Sequence, residues 1–278
     1  MSAALLVLAC LLTPLGALST WAKYEIGDTD NYVATMAPLA SDPAVQGAVA
    51  DAVTKEIMKQ IDVGPLQGTV ETFVNDAVQS FTETKAFKTA WEAANRAAHD
   101  AVQEALNNGD SDTVTIDLAP ITEQVKQQLT DDGVPFGRRI PVEHTEVTVM
   151  NAQDLGNLRK GFHMLQVAGI WLPVAAALCA VAGIALAVRR RRAVTATALG
   201  MAAGAAALGA ALAIGRSLTL DDLPPDVSRP AVAAVYDALT SSLRTAAWVI
   251  LAVGLLVALA AWAGGRFGWW SRWGRRRA

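Results

Sequence analysis

Four nearly continuous apolar runs, at residues 3–21, 165–188, 193–215 and 246–263, divide this chain. Each comes close to the roughly 20 residues a helix needs to cross a bilayer. Between the first and second runs the pattern is periodic, and the period is mostly helical. Thr29 or Asp30 is placed to cap a helix over 31–39. Ser41-Asp42-Pro43 opens a second helix, with a capping side chain ahead of a proline whose missing N–H costs nothing in the first turn. Val45, Val49, Val53, Ile57 and Ile61 then recur every four residues as one apolar stripe. Asp62-Val63-Gly64-Pro65 breaks that helix. A third carries Leu66, Val70, Phe73, Val74, Val78 and Phe81 on its face, and a fourth over about 84–106 stops at Asn107-Asn108-Gly109.

The period then changes. Thr113-Val114-Thr115-Ile116-Asp117-Leu118 alternates and is β-branched, as a strand does, and Glu146-Val147-Thr148-Val149-Met150 reads as a second. Pro120 opens a helix to about residue 129 between them, so strand, helix, strand predicts a small parallel pair leaning on the helices. Asn151 can cap a helix through Leu155, Leu158 and Phe162 that continues into the second apolar run. The expected fold class is a mostly α membrane protein: four transmembrane helices and a helical extracytoplasmic domain carrying a short two-stranded β element. The divisions are residues 1–22, 23–163, 164–265 with an outer loop at 216–245, and a Trp/Arg-rich tail at 266–278.

Charge gives these segments sides. Residues 23–163 carry 11 Lys and Arg against 22 Asp and Glu, a net −11, and the other four acids (Asp221, Asp222, Asp226, Asp237) lie before the last apolar run. Arg189-Arg190-Arg191-Arg192 and Arg266, Arg272, Arg275, Arg276 and Arg277 have no acidic residue among them. Arginine-rich loops stay in the cytoplasm. The expected location is therefore the plasma membrane, with both termini inside and residues 22–163 and 216–245 outside. The mean hydropathy of +0.30 and the 53% hydrophobic content agree with a membrane partner, the lipid bilayer itself. The acidic block excludes nucleic acid as its partner, since phosphate contacts need clustered Lys and Arg. Inner arginines instead complement anionic headgroups.

The only cysteines, Cys10 and Cys179, lie in apolar runs, which leaves the large domain without disulfide or thiolate zinc site. Val7-Leu8-Ala9-Cys10 is a weak lipoprotein box, because the apolar run continues beyond it. Met1-Ser2 runs straight into apolar residues, as expected if translation begins somewhat upstream. Thr20-Trp21-Ala22 makes a poor cleavage site, so the first run is expected to remain as an anchor.

The most specific local pattern is Trp91-x-x-x-Asn95-x-x-x-His99, which sets three side chains on one side of a helix, drifting about 40° per step. It suits a binding or pH-sensing site, with a flat apolar wall, an amide and an imidazole that titrates near neutrality. The plainer reading is a polar seam to a neighbouring element, with Trp91 as anchor and Asp117 as the nearest acceptor, and it is the one favoured. Asn108-Gly109-Asp110-Ser111-Asp112 lacks the glycine and terminal glutamate of a calcium loop, and Glu143-His144-Thr145-Glu146 is not a zinc-protease helix. No nucleophile elbow, phosphate loop or dinucleotide fingerprint occurs, so neither catalysis nor a cofactor or metal is expected. No span contains Asp, Glu, Lys, Arg or His, which argues against ion-coupled transport. Gly200-x-x-x-Gly204 favours close helix packing, against the second and fourth spans of this chain or, alternatively, in a homodimer.

Asn31-Tyr32-Val33, Pro38-Leu39-Ala40-x-Asp42-Pro43-x-Val45-Gln46, the Trp91/Asn95/His99 helix, Ile116-Asp117-Leu118-x-Pro120 and Leu220-Asp221-x-Leu223-Pro224-Pro225 together resemble a family of multi-pass integral membrane proteins of high-GC actinobacteria. The resemblance runs nearly full length and implies topology, without a mechanism. The expected function is a non-enzymatic envelope protein with an extracytoplasmic binding or assembly domain and an envelope protein partner. The alternative is a sensor of pH or a small ligand through Trp91, Asn95 and His99.

Overall fold

The computed structural model describes residues 2–61, 63–107, 113–117, 119–131, 142 and 146–274. In chain order its elements are α1 (Ser2–Trp21), a π turn (Ala22–Ile26), α2 (Thr29–Met36), a 3-10 turn (Ala37–Ser41), α3 (Pro43–Gln60) and α4 (Gln67–Thr82). There follow α5 (Lys85–Asn107), β1 (Thr113–Asp117), α6 (Ala119–Asp131), β2 (Glu146–Asn151), α7 (Ala152–Ala185), α8 (Arg190–Asp221) and α9 (Arg229–Gly274). They form two compact units. A bundle unit comprises Met1–Tyr24, His163–Ser217 and Thr240–Ala278, and a polar unit comprises Glu25–Phe162 and Leu218–Leu239. All 26 acidic residues belong to the polar unit.

Among the described residues four helices are long and apolar enough to cross a membrane: Ser2–Ile26, Ala168–Ala185, Arg190–Asp221 and Arg229–Ala263. By length and composition the chain is a multi-pass membrane protein. Two of these helices contain an internal proline, Pro14 in α1 and Pro173 in α7. A proline removes the hydrogen bond to the carbonyl four residues earlier, and in an apolar medium that carbonyl needs another donor. For Pro173 the carbonyl is that of Gly169, and Thr20 Oγ1 donates to it at 3.0 Å. The Cys10 carbonyl, four residues before Pro14, lies against Gly204, where an added Cβ would sit 3.2 Å from it.

Small residues set how closely the helices approach. A Cβ on Gly200 would collide with Cys10 Sγ, and one on Gly204 would press on Pro14 at 3.3 Å. The Gly200/Gly204 face is therefore covered by α1, whereas the second and fourth spans were its expected partners. The face considered for a homodimer is thus occupied within the chain. The fourth span approaches α8 elsewhere, through Gly254, where a Cβ would lie 2.7 Å from the Ala198 carbonyl oxygen.

The described core of the polar unit is built by helices. Met36, Leu39 and Val45 are its buried centre, with Tyr32, Val49 and Trp91 packed around them. Asp42 caps α3 by accepting from the Ala44 and Val45 amides at 2.8 and 3.3 Å, which fixes the sharp entry after the 3-10 turn. The cap of α2 is Asp28 rather than Thr29 or Asp30. On α3 the buried positions are Val45, Gln46, Ala50 and Thr54, so the expected stripe is displaced and its far members, Val53 and Ile61, are exposed at 39% and 38%. Gln46 explains the displacement. Its amide donates to the Ala40 and Thr82 carbonyls at 2.9 and 3.0 Å, and a buried amide so bonded fixes the inward face more firmly than the apolar pattern does.

Two further expectations are corrected. Residues 216–245, expected as one outer loop, are mostly helical: α8 runs to Asp221 and α9 starts at Arg229, leaving 222–228 as the connection. The first turns of α9 bring Ala231, Ala234, Val235, Ala238 and Leu239 onto the Met36/Leu39/Val45 core. The fold class is corrected in its β element as well, since no parallel strand pair occurs among the described residues. β1 and β2 run antiparallel, from Thr113↔Asn151 to Asp117↔Glu146, with an irregularity between Val114 and Thr115. A parallel pair needs its helix to cross over the sheet. Here α6 packs beside α5 instead, and the chain re-enters from the C-terminal end of β1. Helix α7 is unbroken from Ala152, and α9 extends to Gly274 through most of the expected tail.

Candidate functional site

Helix α5 places Trp91, Asn95 and His99 along one side, and the neighbouring segment from Ile26 to Met36 meets each turn differently. Trp91 Nε1 donates to the Met36 carbonyl at 2.9 Å, and its ring lies 6.1 Å from that of Phe87. Asn95 Nδ2 turns back to the Trp91 carbonyl in its own helix at 2.8 Å. It does not cross to the neighbouring segment. His99, only 8% exposed, holds Thr29 Oγ1 at 3.0 Å through Nδ1 and the Ile26 carbonyl at 2.9 Å through Nε2, while Tyr32 stacks on its ring at 4.4 Å. These are the contacts of a seam.

Among the described residues the partner of that seam is the chain entering α2. The expected acceptor, the side chain of Asp117, lies outside the described residues. Two residues of the site went unpredicted. Gln103 donates to the same Ile26 carbonyl at 3.0 Å, and it continues the four-residue spacing of Trp91, Asn95 and His99. The spacing alone was a signal for it. Tyr32 carried no such signal, because a stack between helices depends on their separation in space.

Hydrogen accounting gives this cluster a chemical property. A carbonyl only accepts, so Nε2 carries a hydrogen for Ile26. Thr29 has a single hydroxyl hydrogen, which it donates to Asp100 Oδ1 at 2.7 Å. Nδ1 can then keep its own contact with Thr29 only by donating. A neutral imidazole with hydrogen on Nε2 instead competes with Asp100 for that one hydrogen. Arg96 and Asp30 form an exposed ion pair at 2.8 Å on the adjacent side of α5. Burial pushes the Tyr32 phenol up from its ordinary value.

Among the described residues no group of three or more His, Cys, Asp or Glu is placed to hold a metal ion. The Asn108–Asp112 and Glu143–Thr145 motifs fall outside the described residues. A different surface stands out on the α3–α4 hairpin. Leu66 is 62% and Phe73 74% exposed, and of α4 only Thr82 is buried. Asn75 Nδ2 donates to Asp51 Oδ1 at 3.1 Å and ties the two helices together, so these apolar side chains sit on a braced hairpin. In comparisons with protein families, curated proteins and solved structures, the chain matches none.

Proposed function

We propose that this chain is a non-enzymatic plasma-membrane protein whose polar unit lies outside the cytoplasm and serves as a binding or assembly component of the cell envelope. Both termini are then cytoplasmic, following the segregation of arginines from acidic residues. The resemblance to multi-pass membrane proteins of actinobacteria supports the same placement. The observation that carries the binding reading is the α3–α4 hairpin with Leu66 and Phe73 in the open. A contiguous exposed apolar patch marks a contact site, and Leu66 and Phe73 are read as the centre of one. All 26 acidic residues share this unit, so the partner is an envelope protein with an apolar centre and a basic rim.

A photo-crosslinking residue at Phe73 should give one discrete protein adduct in native membranes, and the same probe at Phe87, which is 6% exposed, should give none. Leu66→Asp should abolish the Phe73 adduct without changing the melting temperature. Labelling of lipid alone from position 73 would contradict the binding reading.

The shared Thr29 hydrogen favours a second reading, in which protonation of His99 adjusts that binding. Its signature is a dependence of adduct yield on pH that His99→Gln removes. Identical pH profiles in both proteins would exclude it.

A further inference from the structure

The bundle unit contains no Asp or Glu, yet it holds the four arginines Arg189–Arg192. Where α8 begins, Arg191, Arg192, Thr195 and Leu199 of that helix line an open groove of about 620 Å³, and Trp262 of α9 lines it from the neighbouring helix. The apolar part is accessible, with Leu199 48% and Trp262 59% exposed. The groove is thus cationic at one end, apolar along its length and faced by one indole ring.

We infer that this groove is a binding site for one anionic phospholipid, whose headgroup phosphate meets Arg191 and Arg192 while an acyl chain lies along Leu199 and Trp262. Charge complementarity selects this occupant. Arg191 and Arg192 bring two cationic side chains to the groove, and a membrane offers phosphate at the depth where a helix passes from polar to apolar residues. Arginine matches phosphate with a planar fork of donors. The N-terminal end of α8 adds positive potential at the same place. Tryptophan suits the boundary, having an apolar body and one polar edge. A free anion would use the arginines but gain nothing from Leu199 and Trp262. The inference concerns the bundle alone and holds for either orientation in the membrane.

The test is native mass spectrometry of the full-length protein in detergent with added phosphatidylglycerol or phosphatidylcholine. Retention of phosphatidylglycerol should exceed that of phosphatidylcholine by roughly tenfold, and Arg191→Gln with Arg192→Gln should remove the preference. Lysine at both positions should restore part of it, which separates loss of charge from misfolding. Leu199→Ser should weaken retention while leaving the arginines in place. Equal retention of both lipids would overturn the inference. So would thermal stabilisation by inorganic phosphate as large as that by phosphatidylglycerol, which would mark an anion site without lipid specificity.

Discussion

Gly254→Leu should be among the most damaging substitutions in the bundle. A Cβ at this position would lie 2.7 Å from the Ala198 carbonyl oxygen and 3.0 Å from Ala202 Cβ. The nearer obstacle is backbone, so no rotamer change relieves it and α9 must move away from α8. Overpacking ordinarily costs about 1–3 kcal/mol, and a conflict with backbone belongs at the upper end. Buried Ala198, Ala202 and Ala205 on α8 would lose packing as the helices separate. Gly209 provides the control, because a Cβ there meets nothing within 4 Å. Thermal unfolding in detergent should show a clear drop for Gly254→Leu and little change for Gly209→Leu. Equal melting of the two variants would mean that α8 and α9 do not pack through Gly254.

Trp91→Ala should lower the stability of the polar unit by about 3 kcal/mol. The indole packs on the Met36/Leu39/Val45 core and supplies a hydrogen to the Met36 carbonyl, so the substitution opens a cavity and removes a donor together. Partial exposure of the ring keeps the figure at the lower end for a tryptophan. A shift of roughly 6–12 °C in the melting temperature corresponds to this loss in a unit of such size. His99→Gln keeps a donor but forfeits the stack on Tyr32, a change of about 1 kcal/mol. A larger loss for His99→Gln than for Trp91→Ala would place the anchor of the seam at the imidazole.

What the sequence revealed, and what it concealed, follows from the range of the interactions. The spans were legible because a bilayer requires a long local run of apolar residues, and Asp42-Pro43 marked the start of α3 because capping is decided within three residues. Partner choice was harder to read. Gly200 and Gly204 announced a close approach, but any helix can fill a glycine face, and α1 filled it. The α3 stripe misled because Gln46, once bonded to Ala40 and Thr82, turned the inward face away from Val53 and Ile61. Ala231, Val235 and Leu239 recur every four residues, a helical signal that was present but hidden by the charges of the supposed loop. The strand direction depended on where α6 docks, which no residue of β1 or β2 encodes.

The most direct test of the whole account is the sidedness of the polar unit. Alkaline phosphatase should be active when fused after Asp76 or Asp226 and inactive when fused after Arg192, with a fluorescent protein giving the reverse pattern. Activity after Arg192, or none after Asp76, would contradict the placement of the acidic unit outside and with it the proposed role in the envelope.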